Sequence, residues 1–254
     1  MKFWAIAWPI LAGLIQANDA DASTRWREAT DYVDQLQATT ADGICIAIAA
    51  IDGDTVTKHF AGTCTAESLF QIGSITKTFT ATVFADAVIS DRVSLDTPLA
   101  ELLDQAVPSY DGKGITLVDI ATHTSGLPRL PDNIDLDAEH KNDPYLHYGE
   151  DELLAFLADH RLVRSPGEQA EYSNLGMGLL GYLLSELYER PYAELVEGLV
   201  AEPLGMFDTV VVPNERHKDR VLSGHDGSFE VNRCKQGRRP DPVSKRRTYC
   251  AAHG

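Results

Sequence analysis

After one pair of strand-like segments, this chain reads almost wholly as helix from Ser74 to about Glu202. "GICIAIAAI" (43–51) is nearly all apolar, as expected of a strand buried on both faces. Asp52-Gly53-Asp54 supplies a turn, and "TVTKHFA" (55–61) alternates as a half-buried strand does. The two segments form one hairpin, and a lone two-stranded hairpin is marginal in water. The pattern therefore predicts an α+β fold in which an antiparallel sheet needs further strands.

The helical stretches are legible from their periodicity. Trp26, Ala29, Val33 and Leu36 fall on one helical face within 24–38. Ile75, Phe79, Val83 and Ala87 share one face of a helix starting at Ser74, and Leu153, Leu154, Phe156 and Leu157 mark another over 150–160. Thr116 with Asp119 has the spacing of a capping arrangement. Leu175–Tyr188 is a largely apolar helix whose Gly176, Gly178 and Gly181 allow close approach of a neighbour. Pro191 opens a further helix ending near Pro203.

Charge and leader pattern limit the functional classes. The formal net charge is −16, which excludes nucleic acid as the main partner, since phosphate binding needs a basic face. The charge is uneven: from Asn232 onward seven Lys or Arg face Asp241 alone, so the preceding chain carries −22. Lys2, an apolar run over Phe3–Ile15 and small residues at Ala20 and Ala22 describe a secretory signal peptide over 1–22. The run is too short for a stable membrane span. Export predicts a periplasmic or secreted protein in an oxidising compartment, where a disulfide between Cys45 and Cys64, flanking the hairpin, is geometrically reasonable. No Cys or His pair has zinc-like spacing, and no metal or organic cofactor is implied.

Two short motifs carry chemistry. In "GSITKTFTAT" (73–82), Ser74 and Lys77 are three apart on a helix and so share a face. A serine hydroxyl is a weak nucleophile until a neighbouring base takes its proton or a positive charge stabilises the alkoxide. Taken alone, the pair reads as a helix-start serine and a solvated lysine. "EYSNLG" (171–176) adds Tyr172 and Asn174, two apart before the apolar helix. A phenol held between cations titrates below its usual value near 10 and can shuttle protons. An asparagine amide can position a lysine and a substrate carbonyl together, although a helix cap is its commoner use at such a place. His123, His59 (on the outward face of the hairpin) and His225 read as packing histidines. The absence of Gly-x-Ser-x-Gly around Ser74 argues against an α/β-hydrolase.

In order along the chain, "LFQIGSITKTFTA", "HTSGLP", "SPGEQAEYSNLGMGLLGYLL" and "EPLGMFDT" resemble the serine β-lactamase and penicillin-binding superfamily, in particular its class C branch. The resemblance runs from about Gly43 to about Gly227. It implies a β-lactamase/transpeptidase-like fold, with a helical region beside an antiparallel sheet. It also implies Ser74 as acylated nucleophile, Lys77 as its activating partner, Tyr172 as proton shuttle and Asn174 as the residue orienting Lys77 and the substrate amide. Its substrates are β-lactams or peptidoglycan-type D-Ala-D-Ala peptides and esters.

The family's third motif, Lys-Thr-Gly or His-x-Gly on a late strand, has no counterpart after Asn174 with strand residues around it; His225-Asp226-Gly227 fits only as letters. The expected domain is therefore a partial one over 23–231, without its C-terminal strands. The basic segment 232–254 reads as an out-of-frame, non-native or disordered tail. Two functions follow: an exported serine hydrolase, or an inactive fragment or pseudoenzyme that at most binds peptidoglycan or penicillin.

Overall fold

The computed structural model describes residues 19–40, 44–134, 145, 147–225 and 231–232. Most of the expected signal peptide and all of the basic tail beyond Asn232 lie outside them. The chain divides into two compact units, Met1–Ser68 with His225–Glu230, and Leu69–Gly224 with Val231–Gly254.

The first unit holds helix α1 (Asp19–Thr39) and strands β1 (Ile46–Asp52) and β2 (Thr55–Ala61). β1 and β2 pair antiparallel, with Ile46 opposite Ala61 and Ile48 opposite His59. Helix and hairpin pack together. The face of α1 that turns inward runs through Trp26, Thr30, Val33 and Gln37, while Ala29 and Leu36 are exposed, a shift from the predicted stripe.

β1 is not buried on both faces. Ile46 and Ile48 are half-buried, whereas Ala47, Ala49 and Ile51 are exposed, Ile51 at 77%. One helix covers one face of a two-stranded sheet, and the described strands leave the other to solvent. His59 likewise does not face outward: its Nε2 lies 2.8 Å from Asp34 Oδ1 on α1.

Cys45 and Cys64 form a disulfide with their Cα atoms 5.4 Å apart, within the range such bonds require. Gly62, between β2 and Cys64, has φ +89°, and a Cβ there would stand 2.2 Å from the Ile44 carbonyl oxygen. Only glycine suits both conditions.

The second unit is helical. A 3-10 turn (Gly73–Ile75) leads into α2 (Thr76–Ile89), and short strands β3 (Ser109–Tyr110) and β4 (Lys113–Gly114) form a small antiparallel ladder. Then come α3 (Leu117–Ala121), α4 (Glu150–Asp159), α5 (Asn174–Tyr188) and α6 (Tyr192–Val196), which runs into a π turn over Glu197–Ala201. The buried face of α2 is Thr80, Val83, Phe84 and Ala87. Ile75 is 59% exposed, because it belongs to the preceding 3-10 turn, whose three-residue period places it off the α-helical stripe.

α5 is the centre of the core. Leu179 and Leu180 are fully buried and Leu184 nearly so, against α2, α3 and α6. Each contributes about 1.5–3 kcal/mol through burial. The buried Thr80 hydroxyl is satisfied by Tyr192 OH at 2.7 Å. Gly176 fits tightly, a Cβ there meeting Ser173 Oγ at 3.3 Å and Ile120 Cγ2 at 3.6 Å; Gly178 faces open space, contrary to the close approach expected of it. Pro191 is the N-cap of α6, one position before the expected first helical residue.

α3 opens on the Thr116–Asp119 capping box that the spacing predicts, with Thr116 N donating to Asp119 Oδ2 at 3.0 Å. Leu69 exchanges backbone bonds with Arg220 and Leu222, which fixes the approach to the 3-10 turn.

Candidate active site

The end of the 3-10 turn and the start of α5 bring the four expected residues together. Ser74 sits in the middle of the turn and Lys77 one residue into α2. Neither the turn nor α2 has a side-chain cap, so the Ser74 hydroxyl is not spent on helix initiation. Lys77 Nζ donates to Ser74 Oγ at 3.2 Å and to Asn174 Oδ1 at 2.8 Å. Lys77 is thus held between two partners, where the motif read alone would leave it solvated.

Asn174 does not cap α5. That place belongs to Ser173, whose Oγ accepts from Gly176 N at 2.8 Å and donates to the Pro128 carbonyl at 2.6 Å. With the cap made by its neighbour, the Asn174 amide is available to Lys77. The Asn174 and Leu175 N–H groups both point to the Arg129 carbonyl.

Tyr172 precedes the cap and donates to Ser74 Oγ at 2.7 Å. Lys77 Nζ lies 4.8 Å from the centre of its ring and the Arg129 guanidinium 5.2 Å from it. Burial raises the pKa of this phenol, but hydrogen bonding by Lys77 and Ser74 and the charges of Lys77 and Arg129 outweigh it. The net shift is below the ordinary tyrosine value.

The segment carrying Tyr172 is fastened from several sides. Lys113 Nζ donates to the Pro166 carbonyl at 2.6 Å, Gly167 N to the Thr124 carbonyl at 2.9 Å, and Arg164 is ion-paired with Glu171. Among the described residues, no group of three His, Cys, Asp or Glu is placed to hold a metal ion.

Two participants are missing from the motifs, and a third, His123, reads there as a packing histidine. Arg129 is the next residue after "HTSGLP", so the signal was one position beyond the quoted segment. Tyr145 stands beside Asn174; burial pushes its phenol up, and the Asn174 amide and Arg129 charge offset this only in part. Nothing in "KNDPYLHYGE" announces it. His123 makes no hydrogen bond to Ser74 but packs its ring 4.7 Å from that of Tyr172.

A hydroxyl held between an ammonium and a phenol, with an amide fixing the ammonium, is equipped for acyl transfer. Known proteins are similar to this chain. D-alanyl-D-alanine-carboxypeptidase/endopeptidase AmpH of Escherichia coli K12 is 33% identical over 168 residues, 65% of this chain and 43% of its own length. Esterase EstB of Burkholderia gladioli is 31% identical over 188 residues, 67% of this chain and 45% of its own. The chain thus spans less than half of these curated relatives. The crystal structure of a beta-lactamase/D-alanine carboxypeptidase from Yersinia pestis, complexed with citrate, superposes with a TM-score of 0.66 at 28% identity, covering 78% of this chain and 61% of that one. The family model described as Beta-lactamase matches residues 29–253, passing Val231 and entering the basic segment. Fold, relatives and family model converge, and the chain belongs to the beta-lactamase family.

Proposed function

We propose that this protein is an exported serine hydrolase that opens β-lactams, or cleaves D-Ala-D-Ala-type peptides and related esters, through an acyl-enzyme at Ser74. The observation that carries the reading is the connected set Tyr172–Ser74–Lys77–Asn174, each link 3.2 Å or shorter. In the form that reacts, Tyr172 has lost its phenolic proton to solvent under the charges of Lys77 and Arg129, and Ser74 Oγ adds to the substrate carbonyl carbon as its proton passes to the phenolate. Lys77 stabilises the negative charge on both oxygens. The tetrahedral intermediate collapses, Tyr172 returns the proton to the leaving nitrogen or oxygen, and the acyl group remains on Ser74. Water then attacks the ester and gives its proton to Tyr172; the second tetrahedral intermediate collapses as Tyr172 passes that proton to the departing Ser74 Oγ, which releases the acid and restores the free serine. The Ser74 backbone N–H is one proposed oxyanion donor, and such donors contribute roughly 3–4 kcal/mol each.

The substrate class rests on the relatives, two of which carry D-alanine carboxypeptidase activity in their names and one esterase activity. Export rests on the leader pattern of residues 1–22 and on the Cys45–Cys64 disulfide, which suits an oxidising compartment. No helix among the described residues is long and apolar enough to cross a membrane.

A fluorescent penicillin tests the reading. Labelling that disappears in Ser74→Ala, followed by release of the opened product, is the expected result. Labelling without release assigns a penicillin-binding protein; no labelling at any pH overturns the enzymatic reading.

A further inference from the structure

His123 touches three consecutive residues of the segment that presents Tyr172. Its carbonyl accepts from Glu171 N at 2.8 Å, its ring lies 4.7 Å from the Tyr172 ring at a tilt of 38°, and its Nδ1 accepts from Ser173 N at 3.2 Å. It does this from a left-handed backbone conformation, φ +62°, just past the end of α3. That is the place where helices commonly end on glycine, and a histidine there is strained. The strain is matched by the contacts of its side chain, which glycine could not make.

An Nδ1 that accepts a hydrogen bond carries no proton, so the ring is the neutral Nε2–H tautomer. Adding a proton at Nδ1 turns the acceptor into a donor facing the Ser173 N–H, and that bond is lost. The groups around the ring oppose such a proton. Lys77 on α2 is the near positive charge and Arg129 stands on the Tyr172 ring. The nearby carboxylates are engaged elsewhere, Glu171 by Arg164 and Asp119 by Thr116 and Thr124. Burial first, and then the charge of Lys77, hold the imidazole below its ordinary value.

We propose that His123 is a positioning residue whose neutral imidazole sets Tyr172 against Ser74, so that protonating this ring on acidification disengages the phenol and closes down acylation. The inference rests on the Ser74–Tyr172 pair being the reacting one. It adds to the acid limb set by the Tyr172 phenolate a further step, at lower pH, that belongs to a residue that never meets substrate.

Two variants and one spectroscopic measurement on the full chain test it. His123→Asn keeps a residue tolerant of left-handed backbone and an Oδ1 near the place of Nδ1, but cannot titrate. His123→Gly relieves the backbone and removes the acceptor. The expected result is that the Ser173 amide resonance of the native protein moves in a single titration below pH 7, and that this step is absent in His123→Asn. Acylation by fluorescent penicillin at neutral pH should fall about tenfold or more in His123→Gly without a lower melting temperature. In His123→Asn it should be largely retained, with the further step gone from the acid limb. A Ser173 amide indifferent to pH, a His123→Gly protein labelled at the native rate, or an unmoved acid limb in His123→Asn each overturns the proposal. If the native chain is never labelled, the enzymatic reading fails, and the Ser173 and Tyr172 resonances alone decide whether His123 holds the segment.

Discussion

The Tyr172 hydroxyl donates to Ser74 Oγ at 2.7 Å from a position 98 residues further along the chain. The two side chains meet because α2, which follows Ser74, packs on α5, which follows Tyr172. Each reacting group is thus placed just before the N-terminus of a helix anchored in the core, where packing fixes the backbone and the side chain remains accessible. Tyr172 is 38% exposed while Ser173, the next residue, is 1% exposed.

Replacing Tyr172 by Phe keeps the ring and removes the shuttle. Acylation and turnover of a chromogenic β-lactam should fall roughly 10²–10⁴-fold, the usual contribution of a positioned acid–base group. The melting temperature should change little, since the lost bond is partly exposed. A variant within tenfold of the native rate would show that the proton travels by another route.

Asn174 is expected to act through Lys77. Asn174→Ala leaves the ammonium without its 2.8 Å acceptor and should cost about 1 kcal/mol of stability. Misplacement of Lys77 should lower kcat/KM by roughly a hundredfold. Asn174→Asp restores an acceptor and should recover part of the rate. Equal loss in both variants would mean that the amide N–H, not the carbonyl, is what matters. Steady-state kinetics with calorimetry distinguishes these outcomes.

The sequence discloses the site more fully than the fold around it. Ser74 with Lys77, and Tyr172 with Asn174, each lie within one short motif, but spacing alone leaves a helix start and a solvated lysine; the resemblance is what joins the two motifs into one site. Arg129 and Tyr145 reach the same place through loop conformation, which has no period to read, and His123 reads as a packing histidine without the surface it packs on. In the fold, helix positions were legible and faces less so. A 3-10 turn rotated Ile75 out of its stripe, and β1 looks doubly buried in sequence because an apolar run does not say what covers it. The His59–Asp34 contact likewise depends on α1 lying across the hairpin, which no local pattern encodes.

The lowered pKa of Tyr172 makes a prediction about stability at alkaline pH. The folded phenol ionises before the unfolded one, so between the two values the unfolded chain binds more protons. The resulting stabilisation is fully present above the unfolded value of about 10 and is lost as pH falls through the folded value. Against Tyr172→Phe, the native protein should therefore gain melting temperature as pH rises toward that value, with no such gain near neutrality. A difference independent of pH would show that Lys77 and Arg129 do not favour the phenolate.

Gly62 should be among the least replaceable residues of the hairpin unit. A side chain at φ +89° costs roughly 1–3 kcal/mol from backbone conformation alone. The 2.2 Å approach of its Cβ to the Ile44 carbonyl adds a clash that only backbone movement relieves. Because Ile44 lies one residue before Cys45 and Gly62 two residues before Cys64, on the two chain segments that the disulfide joins, that movement must also disturb the cross-link geometry. Gly62→Ala is thus expected to speed amide hydrogen exchange over Ile46–Ala61. Gly178→Ala serves as the control, since its Cβ would meet nothing within 4 Å on α5 and alanine gains about 1 kcal/mol over glycine in a helix. If the two substitutions change stability in the same direction, the close approach at Gly62 is not what holds that turn.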